Sequence, residues 1–214
     1  MIKSLLHFNN PSNLLYDEAG TAWQSFGNCS STTQGKFHNA LSLNKGYIQN
    51  NTINLDFTSD WTIDFWVYSN NTYTNQPIFS VKSLPNTNPR GGIILEGNIL
   101  FIAKKSTNSW DMTTLVMPKN QWLHLALVNY GQNLLFFIDG VNVVNTSNTD
   151  INLASTPEIQ LGMGNTVSPS FVGFIDEFRV TDRAEWTSNF TPPVVEYNSK
   201  VLYISADNSV MGMV

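Results

Sequence analysis

Cysteine is almost missing from this chain: Cys29 is the single one in 214 residues. No disulfide can close within it, so packing must carry its stability. Charge is scarce too, at 13% of residues against roughly 25% in an average domain, and Asn, Ser and Thr stand in its place. What charge there is leaves a net of -5 and a pI near 5.0. With no basic patch to displace counterions from a phosphate backbone, nucleic acid is excluded as a partner. No stretch approaches the ~20 apolar residues that cross a bilayer, so membrane insertion is not expected. Met1 to Phe8 holds no apolar run of signal-peptide length, and synthesis in the cytoplasm without a leader is expected. No helical period is sustained anywhere.

What is present is short alternation between turn residues. Phe171 to Pro193, FVGFIDEFRVTDRAEWTSNFTPP, alternates with period two in its first half. Val172, Phe174, Asp176, Phe178 and Val180 fall on one side; Gly173, Ile175, Glu177 and Arg179 fall on the other. Both sides carry apolar residues, which predicts a central strand covered on both faces. Thr181-Asp182 is expected to cap a short helical turn through Trp186, and Pro192-Pro193 to stop regular structure. Earlier in the chain, Asp60 to Tyr68 (DWTIDFWVY) puts Ile63, Phe65 and Val67 on one face and Asp64 and Trp66 on the other. Lys3 to Phe8 and Gln121 to Val128 read as strands, with His124 on the face of Trp122 and Ala126. Leu134 to Asn145 is a hairpin whose Asp139-Gly140 supplies the positive φ of a type I′ turn. Many short strands between turn signals predict an all-β sandwich or barrel.

Several of these stretches form an ordered set. "LLHF" at Leu5–Phe8, "GKFHNALSL" at Gly35–Leu43, "DWTIDFWV" at Asp60–Val67, "FIDGV" at Phe137–Val141 and "GFIDEFRVT" with "TSNFTPP" stand in the chain in that order. Together they resemble laminin-G-like domains of the kind found in bacteriophage tail and virion proteins, over roughly Ser4 to Pro193. The resemblance implies a concanavalin-A-like jelly-roll sandwich of two antiparallel sheets, residues 1–193. Residues 194–214 would follow as an edge strand, an arm or the start of a truncated repeat.

The resemblance also implies chemistry. Such domains often hold a structural calcium near the first turn and the closing strand, which would carry over to Asp17 and Asp176, with Asn9 offering an amide oxygen where an acid is usual. Glucanases of the fold need two carboxylates facing across a sugar. Their E-x-D-x-x-E pattern is absent, and strict alternation sends Asp176 and Glu177 to opposite faces, so no enzyme is expected. Cys29 has no basic neighbour, and His7, His38 and His124 lack metal-ligand spacing. Sugar recognition calls for an aromatic ring flanked by polar groups off the core pattern. Tyr73, Trp110 and Asp111 fit that description in Asn-rich stretches. The expectation is a non-enzymatic, lectin-like adhesion module on a phage particle, binding host-surface glycans through rim loops. Display in many copies, or as a homo-oligomer, would multiply weak sites. The alternative is a capsid or tail decoration protein that contacts other virion subunits and binds no sugar.

Overall fold

The computed structural model describes residues 1–69, 76–83, 86–96, 99–104, 110–131, 133–147, 157–163 and 171–198. Tyr73 lies outside them. They form fifteen strands: β1 (Ile2–Leu6), β2 (Gln24–Phe26), β3 (Cys29–Thr32), β4 (Ala40–Asn44), β5 (Tyr47–Asn50), β6 (Trp61–Ser69), β7 (Gln76–Ser83), β8 (Asn86–Glu96), β9 (Ile99–Lys104), β10 (Trp110–Val116), β11 (Trp122–Tyr130), β12 (Asn133–Ile138), β13 (Val141–Ser147), β14 (Pro157–Leu161) and β15 (Val172–Thr181). One antiparallel sheet runs β13-β12-β11-β6-β15-β4-β3 with β1 also on β15; the other runs β10-β9-β8-β7-β14-β5-β2. This is the concanavalin-A-like sandwich that the resemblance implied, where the alternation alone allowed a sandwich or a barrel.

The core lies between the sheets. Leu41, Leu43, Ile63, Phe65, Val67, Leu125 and Leu127 of the first sheet meet Ile48, Phe79, Val81, Ile93 and Leu161 of the second. Phe65 reaches across to Phe79 with ring centroids 6.2 Å apart. Each such side chain contributes roughly 1.5–3 kcal/mol through burial, which is how a chain with no disulfide stays folded.

β15 is central, as predicted, but its alternation breaks. On one edge it pairs continuously with β6, except that Asp176 lies opposite Trp66 and Arg179 opposite Asp64. Three steps on β15 thus match two on β6, which is a bulge. Glu177 takes a left-handed φ of 51° at that point. On its other edge, β15 pairs with β4 through Val172 to Ile175 and with β1 through Phe178 to Thr181. The extra residue exchanges the faces: Phe171 and Ile175 point into the core before it, and Phe178 and Val180 after it. Asp176, Glu177 and Arg179 all meet partners on the outer face. The expectation that Asp176 and Glu177 point to opposite sides is therefore corrected.

No helix follows β15 among the described residues. Thr62 Oγ1 donates to the Arg183 carbonyl (2.8 Å) and accepts the Glu185 N–H (2.9 Å). The backbone groups a helical turn would have paired internally are thus taken by β6. The segment 182–198 instead crosses the outer face of the first sheet as a strap. Trp186 stacks on Phe190 (3.9 Å, 4°) above Ala126, Val128, Leu135 and Phe137. The Asp139-Gly140 turn has positive φ at both positions, as its sequence predicted, and the Phe190 N–H binds the Gly140 carbonyl at 2.9 Å. Packing does not end at Pro193: Glu196 and Tyr197 also bind into this face. Residues 199–214 lie outside the described residues.

Candidate functional site

Two polar constellations sit on the outer side of the first sheet. The first lies under the strap. Asp64 on β6 is fully buried; its Oδ1 accepts from Arg179 Nε at 2.9 Å and its Oδ2 faces His124 Nε2 at 3.1 Å. The Tyr197 hydroxyl donates to the same carboxylate, and its ring lies 3.8 Å from the Arg179 guanidinium carbon. Burial pushes the Asp64 carboxyl up, but Arg179, His124 and Tyr197 outweigh it and hold it below its ordinary value. The Tyr197 phenol is pushed well up, by burial first and then by Asp64. With Asp64 and His124 at 0% exposure, this cluster secures the strap and offers no bound molecule a way in.

The second constellation opens to solvent where β1 ends. Phe8 is left-handed (φ 58°), and the following turn is set by Asn13 N–H to the Asn10 carbonyl, Tyr16 N–H to the Asn13 carbonyl and Ser12 N–H to Asn10 Oδ1. The result is a cleft of about 290 Å³ lined by His7, Asn9, Asn10, Asn13, Tyr16 and Glu18. Tyr16 is 54% exposed. At its back, His7 Nδ1 lies 2.6 Å from Glu177 Oε1, and the Tyr197 N–H binds Glu177 Oε2 at 2.8 Å. Asn9 Nδ2 donates to Glu196. Burial draws the His7 imidazolium down, but the hydrogen bond and charge of Glu177, with Glu196 and Glu18, raise it overall. An exposed ring, the amides of Asn10 and Asn13 and an ion-paired histidine can together stack on a sugar face and hydrogen-bond its hydroxyls.

The expected calcium ligands are otherwise engaged. Asp17 is buried and accepts from Leu5 N–H (3.1 Å), Ala19 N–H (2.7 Å), Thr21 Oγ1 (2.6 Å) and Trp23 Nε1 (3.0 Å), and from the Ser4 hydroxyl. Asp176 accepts from the Phe37 and Glu177 N–H groups at 3.0 and 2.9 Å. Its carboxyl is pushed up to about 7, chiefly by burial, with the Glu177 charge adding to it. Asn9 Oδ1 is held by the Asn39 N–H (3.0 Å). This donor set does not fit a hard cation that takes six to eight oxygens. Among the described residues, the group whose ligand atoms do converge is His7, Glu177 and Glu196, all within 4.8 Å of one another.

Trp110 and Asp111 open β10, an edge strand, opposite Ala103 and Ile102. Cys29 is partly buried with its Sγ 3.4 Å from the carbonyls of Phe26 and Tyr47, and burial pushes the thiol up, as suits a packed residue. Sequence reasoning missed Tyr16, because Leu14 and Leu15 precede it and only Asp17-Glu18 on its other side meets the rule applied to Tyr73, an aromatic flanked by polar residues. It also missed the meeting of His7 with Glu177, because 170 positions separate them.

Comparison with known proteins bears on the fold. A laminin G model described as the concanavalin A-like lectin/glucanases superfamily matches residues 43–185. Among curated proteins none matches the chain. Domain 4 of AbnA, a GH43 extracellular arabinanase from Geobacillus stearothermophilus solved in complex with arabinotriose, superposes with a TM-score of 0.67 at 22% identity. That match covers 86% of this chain and 93% of that one. The binding domain of Paraclostridial Mosquitocidal Protein 1 gives 0.64 at 20% identity, covering 86% and 49%. A structure of botulinum neurotoxin type C, whose cell entry depends on two ganglioside molecules, gives 0.61 at 15% identity, covering 85% and 48%. The chain spans about half the length of these toxin structures. At such identities the likeness is one of fold, and carbohydrate-binding proteins are among those that share it.

Proposed function

Since the chain belongs to the concanavalin A-like lectin/glucanases superfamily, we propose that it is a non-enzymatic, lectin-like adhesion module that binds glycans. The observation that carries this reading is the cleft beside the first turn, where Tyr16 stands exposed among Asn9, Asn10 and Asn13. One ring and a few amides make a weak site, so affinity would come from many copies on one particle. The bacteriophage setting, and with it a virion location, draws on the family resemblance, the TSNFTPP stretch above all, and on the lack of a cysteine pair. The decoration reading has one observation in its favour: Val194 and Val195 on the strap are 80% and 68% exposed, a small apolar edge suited to another subunit.

The test is a broad microbial glycan array probed with the purified chain as a multimer. A defined hit weakened about 3–10-fold by Tyr16→Ala supports the reading, a loss in keeping with removal of one stacking ring. A blank array with folded protein moves the assignment to decoration. Calorimetry at millimolar calcium tests the ion that the resemblance implies, and no heat would remove it.

A further inference from the structure

The strap covers only part of the outer face. Its rings and Tyr197 lie over the rows Ala126–Asp64–Arg179 and His124–Trp66. The next row out is built differently. Trp122 of β11 stands opposite Tyr68 of β6, which stands opposite Phe174 of β15, then Ser42 of β4 and Ser30 of β3. Leu41 and Leu43 point into the core, so Ser42 shares the outer face with the rings. Tyr68 and Phe174 are stacked, 5.3 Å apart at 20°, and Trp122 lies 5.7 Å from Tyr68 and 6.5 Å from Phe174. All three aromatic side chains are only half-buried, and Ser30 is exposed.

We propose that this row, Trp122–Tyr68–Phe174 continuing into Ser42 and Ser30, is a second glycan-binding surface, a platform for a neutral sugar chain. The proposal rests on the glycan-binding reading above and adds a site to it. Here aromatic rings fill three positions and hydroxyls the remaining two; Tyr68 and Phe174 brace each other by stacking, which leaves the indole of Trp122, tilted 53° and 37° to them, to meet a sugar's C–H face while the serines meet its hydroxyl edge. Neighbouring strands lie about 4.8 Å apart, so five of them make a strip of roughly 19 Å, long enough for several sugar units in line. The row holds no carboxylate, lysine or arginine, which favours a neutral chain over an acidic one. The first-turn cleft is built from other residues, so the two sites are separable by mutation.

The experiment is calorimetric titration of the full chain with a neutral oligosaccharide identified on the array, comparing wild type, Trp122→Ala, Phe174→Ala, Trp122→Phe and Tyr16→Ala. Near-UV circular dichroism verifies that each variant is folded, and Phe174→Ala serves if Trp122→Ala is not. The expected result is two sites per chain, one weakened about 3–10-fold by Trp122→Ala and the other by Tyr16→Ala, with Trp122→Phe leaving both unchanged. One sugar per chain, lost in Tyr16→Ala and untouched in Trp122→Ala and Phe174→Ala, overturns the platform and leaves the cleft. One sugar per chain, lost in Trp122→Ala but not in Tyr16→Ala, upholds the platform and removes the cleft. No binding by the wild type to any neutral glycan overturns the platform, and a wholly blank array overturns the cleft as well.

Discussion

Asp64 holds three groups from three parts of the chain: Arg179 of β15, His124 of β11 and Tyr197 of the strap. Removing it leaves the Arg179 guanidinium buried without its counter-ion, so Asp64→Ala should cost about 3–5 kcal/mol in urea unfolding. Asp176 behaves in the opposite sense. Its folded value is raised from 3.8 to about 7, so the stability it contributes is complete below pH 4 and is lost as pH rises toward 7. Asp64, held low, contributes above its unfolded value and loses that contribution as pH falls. Asp176→Asn should therefore flatten the fall in stability between pH 4 and 7 and make the variant the more stable form at pH 8. The gain is bounded at about 4 kcal/mol. Urea midpoints of both proteins across that range check it; unchanged midpoints at pH 8 would contradict the burial argument. His7, raised by Glu177 despite burial, loses its contribution as pH climbs through its raised value, so some slope should persist in the variant.

Among the elements, the β12–β13 turn and the strap depend on each other. A Cβ built on Gly140, which has φ +77°, would stand 1.9 Å from the Phe190 carbonyl oxygen. Gly140→Ala thus meets both a left-handed penalty of roughly 1–2 kcal/mol and a backbone clash that lifts the strap. A loss of about 3 kcal/mol is expected, read as a lower thermal midpoint, with altered near-UV signal from Trp186 as its packing on Phe190 loosens. The turn itself was legible, since Asp-Gly between apolar alternations admits one tight geometry. So were the core faces of β6 and β11, where nothing interrupts the period. The bulge in β15 was not. Glu177 takes its left-handed backbone without being Gly or Asn, and what holds it there is His7 and the Tyr197 N–H, both distant in sequence. One misread residue reversed the face of everything before it, and with it the relation of Asp176 to Glu177. The strap was unreadable for a similar reason: Thr181-Asp182 does look like a cap until Thr62, 120 positions away, takes the backbone groups it would have served.

At the scale of the whole molecule, the issue is where the folded unit ends. Pro192-Pro193 reads as a stop, and in sequence the break belongs there. In the structure the next five residues still bind the outer face: the Tyr197 N–H closes onto Glu177, its hydroxyl onto Asp64, and its ring onto Arg179. Hydrogen bonds to charged groups are worth about 1.5–3 kcal/mol each, and a desolvated cation–π contact about 2. Ending the chain at Pro193 removes all three and exposes a carboxylate–guanidinium pair that water can then solvate, which returns part of the loss. The balance is a destabilisation of about 3–5 kcal/mol for residues 1–193 relative to residues 1–198, a large share of a domain's stability. Tyr197→Phe in the full chain isolates the hydroxyl and should cost about half as much. Equal unfolding midpoints for the two truncations would mean the strap lies on the sheet without stabilising it. A drop of the expected size, matched by faster exchange of the Glu177 and Arg179 amides, would make Tyr197 a residue that ties the strap to the sheet.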